Sequence, residues 1–384
     1  MVETADVVIV GCGIIGSSLA YHLRRRSGLR VVVLERTGIG QGSTTRCNGG
    51  VRLQFATEIN IQLSLLSVPV FEHFEAEFGV DPEFRQFGYL MLATTPERWE
   101  TFRRNAELQR ARGVPVELLG PREAAKIVPG MYVDDVLGAT YCPRDGYADP
   151  TIVLDGIVRR ARGLGAEIRE DTPATGIRVE GGRVTAVETP SGTIATRIVV
   201  NAAGPYAAAV GELAGVEVPV RPFKRQMFLT GELSEAVMPA RLPLTVDFEV
   251  GFSVRRYGPA IGLGMSDRGQ EYSFETNADW DFLGRALDRF VYRWPALGNA
   301  QITHGWAGLY EVSPDNHPIL GCVPEVEGFL CGNGFSGHGF MHGPVAGQLL
   351  AELILDGEAK TLDINPLSIR RFQTGELIRE TQFI

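Results

Sequence analysis

Two patterns of hydrophobic positions alternate near the N-terminus. Residues 6–10 (DVVIV) form a continuous β-branched run, which is typical of a strand buried on both faces in a parallel sheet. The stretch at 17–26 (SSLAYHLRRR) spaces its apolar residues as a helix does, and 30–35 (RVVVLE) is again a continuous run. The pattern therefore predicts a strand–helix–strand unit.

Glycine-rich turns occur near both ends of the chain. GCGIIG occupies 11–16, between the first predicted strand and helix, and CGNGFSGHGFMHG occupies 331–343. A second amphipathic helix is predicted to begin at Pro344. Because glycine is costly to order, each turn indicates that something comes very close to the backbone.

The chemistry of the first turn indicates a dinucleotide. Gly11 permits a tight turn, Gly13 lets the backbone approach a pyrophosphate, and Gly16 brings helix and strand together. Glu35 ends the second strand 24 residues after Gly11, where an acidic side chain binds a ribose hydroxyl and repels a 2′-phosphate. This unit leaves NAD and FAD both open.

A long loop follows the ribose acid. Residues 38–50 (GIGQGSTTRCNGG) supply backbone N–H groups and hydroxyls, which suit a cofactor that extends beyond its pyrophosphate. These groups favour FAD over NAD. The alternative is a flexible surface loop.

The rest of the chain predicts a split architecture. A helix is expected at 60–79 with a kink at Pro69, and another begins at Asp149 and Pro150. Short strands with glycine turns occupy 179–204, and 221–304 reads as a mixed sheet.

The predicted fold class is α/β, with a Rossmann-like FAD-binding domain that is discontinuous in sequence and a mixed-sheet α+β substrate domain. The first domain is expected to comprise 1–55, 145–220 and 305–384, and the second 56–144 and 221–304.

Composition narrows the function classes. The net charge of −9 over 384 residues argues against a nucleic-acid partner. No apolar run approaches the ~20 residues of a membrane span. The N-terminus shows no signal peptide, so we expect a cytoplasmic protein without a membrane partner. Five cysteines lack CxxC spacing and no HExxH occurs, so no metal site is predicted.

The chain resembles the D-amino-acid oxidase-like superfamily of FAD enzymes, in particular the sarcosine oxidase and L-proline dehydrogenase β-subunit branch. The stretches that carry the resemblance are VVIVGCGIIG, LER, GSTTRCNGGVRLQF, RIVVNAAGPYA, WAGLYEVSPDNHPILG and GNGFSGHGFMHGPVAGQLL. It implies that the first turn holds the phosphates of FAD. The second places N–H groups and a helix N-terminus beside the pyrimidine end of the isoalloxazine.

The resemblance, with the turn chemistry, assigns the cofactor contacts. Those of the nucleotide-binding half are Gly11, Gly13, Ile14, Ile15, Gly16, Glu35, Arg36, Gly42, Ser43, Thr44, Arg46, Asn48, Gly49, Gly50, Ala174, Ala202, Ala203 and Gly204. Those beside the ring are Gly337, His338, Gly339, Phe340 and Met341.

Three residues are predicted to serve the substrate. Arg52 suits a carboxylate, because its planar fork follows the flavin-loop glycines; a structural arginine is the alternative. Tyr310 matches an active-site tyrosine of the family, with a core tyrosine as the alternative. His338 is an acid–base candidate, unless only its backbone matters.

Departures from the family are informative. Phe55 and Met341 stand where monomeric sarcosine oxidases carry a second arginine and a lysine. Gly308 stands where those enzymes tether FAD through a cysteine, so non-covalent FAD is expected. Lys224 and Arg225 lie on a strand that approaches the flavin in relatives, with a solvated face as the alternative.

The implied activity is oxidation of the C–N bond of a small amino acid, such as sarcosine, proline or glycine. Hydride passes to flavin, an imine forms, and O2 or another acceptor reoxidises the cofactor. One alternative is the flavin-bearing β subunit of a multi-protein dehydrogenase. Another is a non-catalytic respiratory-complex assembly factor, which shares the pattern GGxxxQFxxxxNIQLSLxS with residues 49–67. A homo-oligomer or a partner subunit stays open.

Overall fold

The computed structural model describes residues 3–265, 267 and 269–382. Its strands are β1 Glu3–Thr4, β2 Val7–Val10, β3 Val31–Leu34, β4 Gly50–Val51, β5 Tyr89–Ala93, β6 Glu117–Leu119, β7 Gly138–Cys142, β8 Gly146–Tyr147, β9 Glu167–Arg169, β10 Gly176–Glu180, β11 Arg183–Thr189, β12 Gly192–Ala195, β13 Ile198–Asn201, β14 Arg221–Thr230, β15 Leu244–Asp247, β16 Phe252–Tyr257, β17 Ala260–Met265, β18 Ile302–Val312, β19 Ile319–Cys322 and β20 Phe329–Asn333. Its α-helices are α1 Ile14–Arg26, α2 Ser43–Arg46, α3 Glu58–Glu72, α4 Phe74–Phe78, α5 Pro96–Ala111, α6 Pro121–Ile127, α7 Pro150–Gly163, α8 Ala207–Leu213, α9 Trp280–Arg293, α10 Gly339–Asp356 and α11 Arg371–Thr374.

A six-stranded sheet carries the first glycine-rich turn. Its order is β19-β20-β13-β2-β3-β9, and its strand pairs are parallel except β19 with β20. Every residue of β2 and β3 is buried. Helices α1, α7 and α10 cover one face, while α8 and the small sheet β1-β12-β11-β10 cover the other. The predicted strand–helix–strand unit is therefore present as β2, α1 and β3.

An eight-stranded sheet forms the other half. Its order is β18-β14-β17-β16-β15-β5-β7-β6, with β15 and β5 parallel and the other pairs antiparallel. Helix α9 packs on this sheet through Phe282, Ala286 and Phe290. The α/β class, with a Rossmann-like sheet and a separate mixed sheet, is confirmed.

A local signal located the start of α7. Asp149 caps α7, because its side chain accepts from the N–H groups of Thr151 and Ile152. The helix predicted at 60–79 is present as α3 and α4, with the break at His73 and Pro69 still inside α3.

The predicted start of the last long helix at Pro344 is wrong. Helix α10 begins five residues earlier, at Gly339, and Pro344 lies inside it. Only the first four N–H groups of a helix lack intrahelical partners, so Pro344 removes one hydrogen bond that the helix would otherwise make. The earlier start carries the helix N-terminus into the glycine-rich loop itself.

The two sheets are joined more closely than the predicted division implies. Strand β18 begins at Ile302 and crosses the predicted boundary at 305, and α3 packs on α10 through a 2.8 Å contact of Ser64 Oγ with His342 Nε2. The domain boundaries stay a prediction. Among the described residues, no helix has the length and apolarity needed to span a membrane.

Candidate functional site

The first glycine-rich turn is enclosed by backbone atoms. Gly11 has a φ of +105°, and a Cβ there would lie 2.4 Å from the carbonyl oxygen of Ala202. A Cβ on Gly16 would lie 2.0 Å from the carbonyl oxygen of Gly11. Both positions need glycine for the fold alone. Gly13 differs, because its Cβ would meet only the Thr44 hydroxyl, at 3.2 Å.

Glu35 lies beside this turn, just past β3. Its Oε2 accepts from the Cys12 N–H at 2.9 Å, and its Oε1 accepts from the Thr37 N–H at 3.3 Å. The Thr44 hydroxyl accepts from the Ile14 N–H at 3.1 Å. The predicted ribose acid and the loop after it therefore meet at the N-terminus of α1, which is suited to a phosphate.

The loop at 38–50 is tied to the eight-stranded sheet. Ser43 Oγ and Arg46 Nη1 donate to backbone carbonyls of β18 at 2.7 and 3.3 Å. The Tyr257 hydroxyl donates to Asn48 Oδ1 at 3.2 Å. These contacts fit a loop that forms part of a binding site better than a solvated surface loop.

The second glycine-rich loop is enclosed by side chains. Gly337 has a φ of +94°, and a Cβ there would lie 2.5 Å from the Tyr310 ring. A Cβ on Gly339 would meet Glu311 Oε1 and Phe335 Cβ, each at 3.4 Å, which is ordinary contact. Because α10 begins at Gly339, its first N–H groups have no partner within the helix.

The remaining predicted cofactor residues lie around the first turn and after β13. The Arg36 guanidinium lies 3.9 Å from the centre of the Tyr206 ring. The Ala203 N–H donates to Asn201 at 3.2 Å, and Gly204 has a φ of +56°. Ala174 packs against the core between the six-stranded sheet and the small sheet.

A cavity of about 450 Å³ lies where the eight-stranded sheet faces both loops. Among the residues predicted from sequence, its wall contains Ser43, Arg46, Asn48, Gly49, Gly50, Arg52, Tyr310, Gly337, His338, Phe340 and Met341. The mixed sheet and the loop after it add Phe223, Arg225, Met227, Phe248 and Tyr272. The three predicted substrate residues are therefore brought together in one cavity.

Arg52 is buried and is held by the C-terminal segment. Its Nη2 donates to the carbonyl oxygen of Gln382 at 2.7 Å and lies 3.3 Å from His338 Nε2. Its Nη1 donates to the carbonyl oxygen of Gln54, and the guanidinium lies 3.9 Å from the centre of the Phe55 ring. Arg52 reaches the cavity wall, but the protein already uses several of its donors.

His338 is a neutral hydrogen-bond donor in this setting. Burial, with the charge of Arg52 and with His342 nearby, holds the pKa of His338 well below its usual range. Since a guanidinium only donates, His338 Nε2 accepts and Nδ1 carries the proton. Within the described residues the buried Nδ1 has no hydrogen-bond partner.

Arg225 joins the site from β14, where the sequence left it open between two faces. Its guanidinium lies 4.9 Å from the centre of the Tyr310 ring, and the two side chains are hydrogen-bonded. Burial lowers the pKa of Arg225, while Tyr310 opposes that change. Lys224, on the same strand, is buried and pairs with Glu275 at 3.1 Å.

Two carboxyl groups beside the site were missed by sequence reasoning. Asp145 accepts from the Leu53 N–H at 2.7 Å and from Gln54 Nε2 at 2.9 Å, and burial raises its pKa to about 6. Burial likewise raises the pKa of Glu311 to about 7. An acid directly after the predicted active-site tyrosine was the available signal for Glu311.

The profile of a family described as FAD dependent oxidoreductase (DAO) matches residues 6–353. The chain belongs to this family. Its cofactor is therefore FAD, and it is an oxidoreductase, as the resemblance predicted.

Relatives of this flavoprotein include two kinds of protein. This chain is 32% identical over 385 residues to human mitochondrial sarcosine dehydrogenase, and the alignment covers 96% of this chain but 42% of that protein. It therefore spans less than half of that relative. It is also 32% identical over 429 residues to the Xenopus laevis FAD-dependent oxidoreductase domain-containing protein 1, covering 100% of this chain and 85% of that one.

Two solved structures superpose on nearly all of this chain. L-proline dehydrogenase from P. horikoshii superposes with a TM-score of 0.91 at 34% identity, covering 98% of this chain and 100% of that one. Glycine oxidase from Geobacillus kaustophilus superposes with a TM-score of 0.87 at 25% identity, covering 96% and 99%.

The site geometry fits FAD. Gly13 leaves open space at a helix N-terminus, where an added Cβ would intrude, and the first N–H groups of α10 lie beside the cavity. His338 lies in the cavity wall, and its buried Nδ1 has no hydrogen-bond partner among the described residues. These features suit a long, polar, anionic molecule with one end in each glycine-rich loop.

The pattern shared with the assembly factor has a structural explanation in this flavoprotein. Asn60, Ser64 and Ser67 of that pattern lie on one face of α3. Asn60 Nδ2 donates to Glu380 at 3.1 Å, Ser64 contacts His342, and Ser67 Oγ donates to the carbonyl oxygen of Met341. The pattern holds α10 in place, so it does not separate an enzyme from a scaffold.

Proposed function

We propose that this flavoprotein oxidises the C–N bond of a small amino acid of the sarcosine, proline or glycine type. The observation that carries the proposal is the cavity, which combines the loop at 38–50 and the second glycine-rich loop with the buried Arg52, the half-buried Arg225 and an aromatic wall. A guanidinium at the wall of this cavity favours a ligand that carries a carboxylate.

Each side chain then has a defined task. Arg52 and Arg225 bind the substrate carboxylate, and the Tyr310 ring lies between Arg225 and the second glycine-rich loop. His338 donates from Nδ1 and does not act as a base, because its Nε2 lone pair is directed to Arg52. Bound FAD supplies the hydride acceptor. The chain's own work is to orient the substrate and exclude water.

We propose that the predicted cofactor residues hold FAD in two places. The first turn, with Glu35 and Thr44, would bind the adenosine and pyrophosphate end. The loop at 337–341 would bind the pyrimidine end, where the N-terminus of α10 stabilises negative charge.

The direct test is an anaerobic screen. Purified holoprotein is mixed with sarcosine, L- and D-proline, glycine and larger amino acids, and flavin absorbance is followed. We expect bleaching by small secondary or primary amino acids and not by their decarboxylated amines. Bleaching by an amine without a carboxylate would contradict the proposed role of the arginines.

FAD is expected to be non-covalent. A Cβ on Gly308 would lie 3.0 Å from Arg46 Cβ, so Arg46 packs where a tethering cysteine side chain would begin. Acid precipitation should release the yellow colour into the supernatant. Colour that stays in the washed pellet would reveal an attachment elsewhere.

The two alternative functions remain testable with the same protein. A β subunit that needs partners would bleach with substrate but fail to pass electrons to a dye. A scaffold would bind FAD yet bleach with no amino acid. A cytoplasmic location is also part of the proposal, since one relative is a mitochondrial sarcosine dehydrogenase.

A further inference from the structure

Glu311 places a carboxyl group between the loop after β13 and the second glycine-rich loop. It follows Tyr310 on β18, and its Oε2 accepts from the Gly334 N–H at 3.1 Å. Its Oε1 lies 3.4 Å from the Cβ position of Gly339, and its Oε2 lies 3.9 Å from that of Gly204. Three predicted cofactor-side elements therefore converge on one acid: the loop after β13, the loop after β20, and the start of α10.

Few polar groups of the protein face the charge of this half-buried carboxyl group. Burial raises the pKa of Glu311 to about 7. Among the described residues, the N–H groups of Gly334 and Phe335 act in the opposite direction and lower that pKa.

The ionisable groups on the packed elements are engaged elsewhere. On β14, Lys224 pairs with Glu275, and Arg221 lies over the Tyr272 ring. Arg225 of the same strand contacts Tyr310. Tyr206, in the turn after β13, stacks under Arg36, and His338 contacts Arg52. None of these side chains donates a hydrogen bond to Glu311 in the described part of the chain.

We infer that Glu311 is the residue that takes up a proton from solvent when the flavin site gains negative charge on reduction. Hydride brings two electrons and one proton to the cofactor and leaves one added negative charge there. One solvent proton moves to the carboxylate, and no other bond changes. The inference rests on FAD binding in the proposed place, but not on the identity of the amino acid.

The direction of the effect follows from electrostatics. A carboxylate near the N-terminus of α10 opposes a second negative charge, so reduction raises the affinity of Glu311 for its proton. Below about pH 7 the group is protonated in both redox states and adds nothing. Above that pH, Glu311 is ionised in the oxidised protein and takes up one extra proton on reduction. At still higher pH, Glu311 stays ionised in both redox states and the effect ends.

The test is the pH dependence of the flavin midpoint potential, measured in purified holoprotein with reference dyes from pH 5.5 to 9. In the wild type, the reduction equilibrium constant should fall by an additional factor of about 10 per pH unit above neutrality, which is about 30 mV for two electrons. Glu311→Gln keeps an acceptor for Gly334 and should lack that extra slope. At pH 8.5 the midpoint potential of Glu311→Gln should be higher than that of the wild type, because the variant lacks the negative charge beside the flavin site.

Glu327→Gln is the matched control, because Glu327 is an exposed acid paired with Arg183 on the surface. It should behave as the wild type. Two results would overturn the inference: a wild-type slope without a break across this range, or an unchanged slope in Glu311→Gln. The first needs no variant, so loss of FAD from Glu311→Gln leaves the test intact. Because dyes supply the electrons, failure of the amino-acid screen is a separate outcome.

Discussion

The two glycine-rich turns look alike in sequence but are enforced by different neighbours. In the first, added Cβ atoms on Gly11 and Gly16 would meet backbone carbonyls at 2.4 and 2.0 Å. In the second, Gly337 faces the Tyr310 ring, and Gly339 has only ordinary contacts. A ring can rotate, whereas the backbone of β2 and α1 cannot move without loss of the fold. The first turn is therefore a rigid platform, and the second depends on its side chains.

The comparison separates glycines that the fold needs from those that only a ligand explains. A Cβ on Gly343 would lie 2.7 Å from Ile14, and one on Gly347 would lie 2.5 Å from the N atom of Leu19. These two let α10 approach α1 and need no cofactor. At Gly13 and Gly339 an added Cβ would meet no protein atom closer than 3.2 Å. They are the positions that report on FAD.

The largest effect is expected for Gly16→Ala. The added methyl would overlap a backbone carbonyl, so the free energy of unfolding of the apoprotein should fall by about 3 kcal/mol or more. Urea unfolding followed by circular dichroism measures this. Gly28→Ala is the control, since a Cβ there meets nothing within 4 Å. Equal midpoints for Gly16→Ala and wild type would show that the first turn is not rigid.

Gly13→Ala and Gly339→Ala should separate cofactor binding from stability. Each should leave the free energy of unfolding of the apoprotein within about 1 kcal/mol of the wild-type value. The Thr44 hydroxyl, 3.2 Å from the Cβ position of Gly13, would have to shift only slightly, and the contacts of Gly339 are ordinary. Each should weaken FAD binding about tenfold or more, which corresponds to 1.4 kcal/mol. Quenching of FAD fluorescence gives the affinity. Wild-type affinity in both variants would mean that FAD does not approach these positions.

The sequence predicted the first turn well because its signals are local. Strand, glycines, helix and Glu35 lie within one unit, and Asp149 caps α7 from its own neighbourhood. The start of α10 was misplaced because a proline is favoured at a first helical turn. Inside a helix, tertiary contacts decide, and here the Pro344 carbonyl accepts from Ser18 Oγ at 2.8 Å.

The second region could not be read as fully, because its contacts join distant parts of the chain. Arg52 meets the carbonyl of Gln382, which lies 330 residues away. Glu311 becomes significant only when Gly204 and Gly334 are brought to it. No periodicity or spacing in the sequence encodes such encounters. The sequence supplied residue types near the flavin, and the fold supplied their partners.

Arg52 tests the contact between the loop at 38–50 and the second glycine-rich loop, since it follows the former and contacts His338 of the latter. Loss of a charge-assisted pair costs about 2–5 kcal/mol when the partner stays buried. Arg52→Ala should therefore lower kcat/KM by roughly 30-fold or more with normal flavin content. Arg225→Ala is the matched comparison. Near-normal kcat/KM in Arg52→Ala, with a large loss in Arg225→Ala, would assign the carboxylate to β14 and make Arg52 structural.

The smallest expected effect concerns oxygen, on the mixed-sheet side of the second loop. The resemblance to monomeric sarcosine oxidases predicts that Gly262 replaces the lysine that those enzymes carry above the flavin. A Cβ on Gly262 would lie 2.4 Å from the Tyr257 ring. That ring fills the space, and Lys224 is neutralised by Glu275. Without a lysine at position 262, superoxide-like character is less stabilised. Reoxidation by O2 should be slower than in a monomeric sarcosine oxidase by on the order of tenfold, which is about 1.4 kcal/mol in the barrier.

The measurement mixes anaerobically reduced protein with aerated buffer, beside a monomeric sarcosine oxidase. Equal rates would show that another group, such as an arginine of the cavity, supplies the charge.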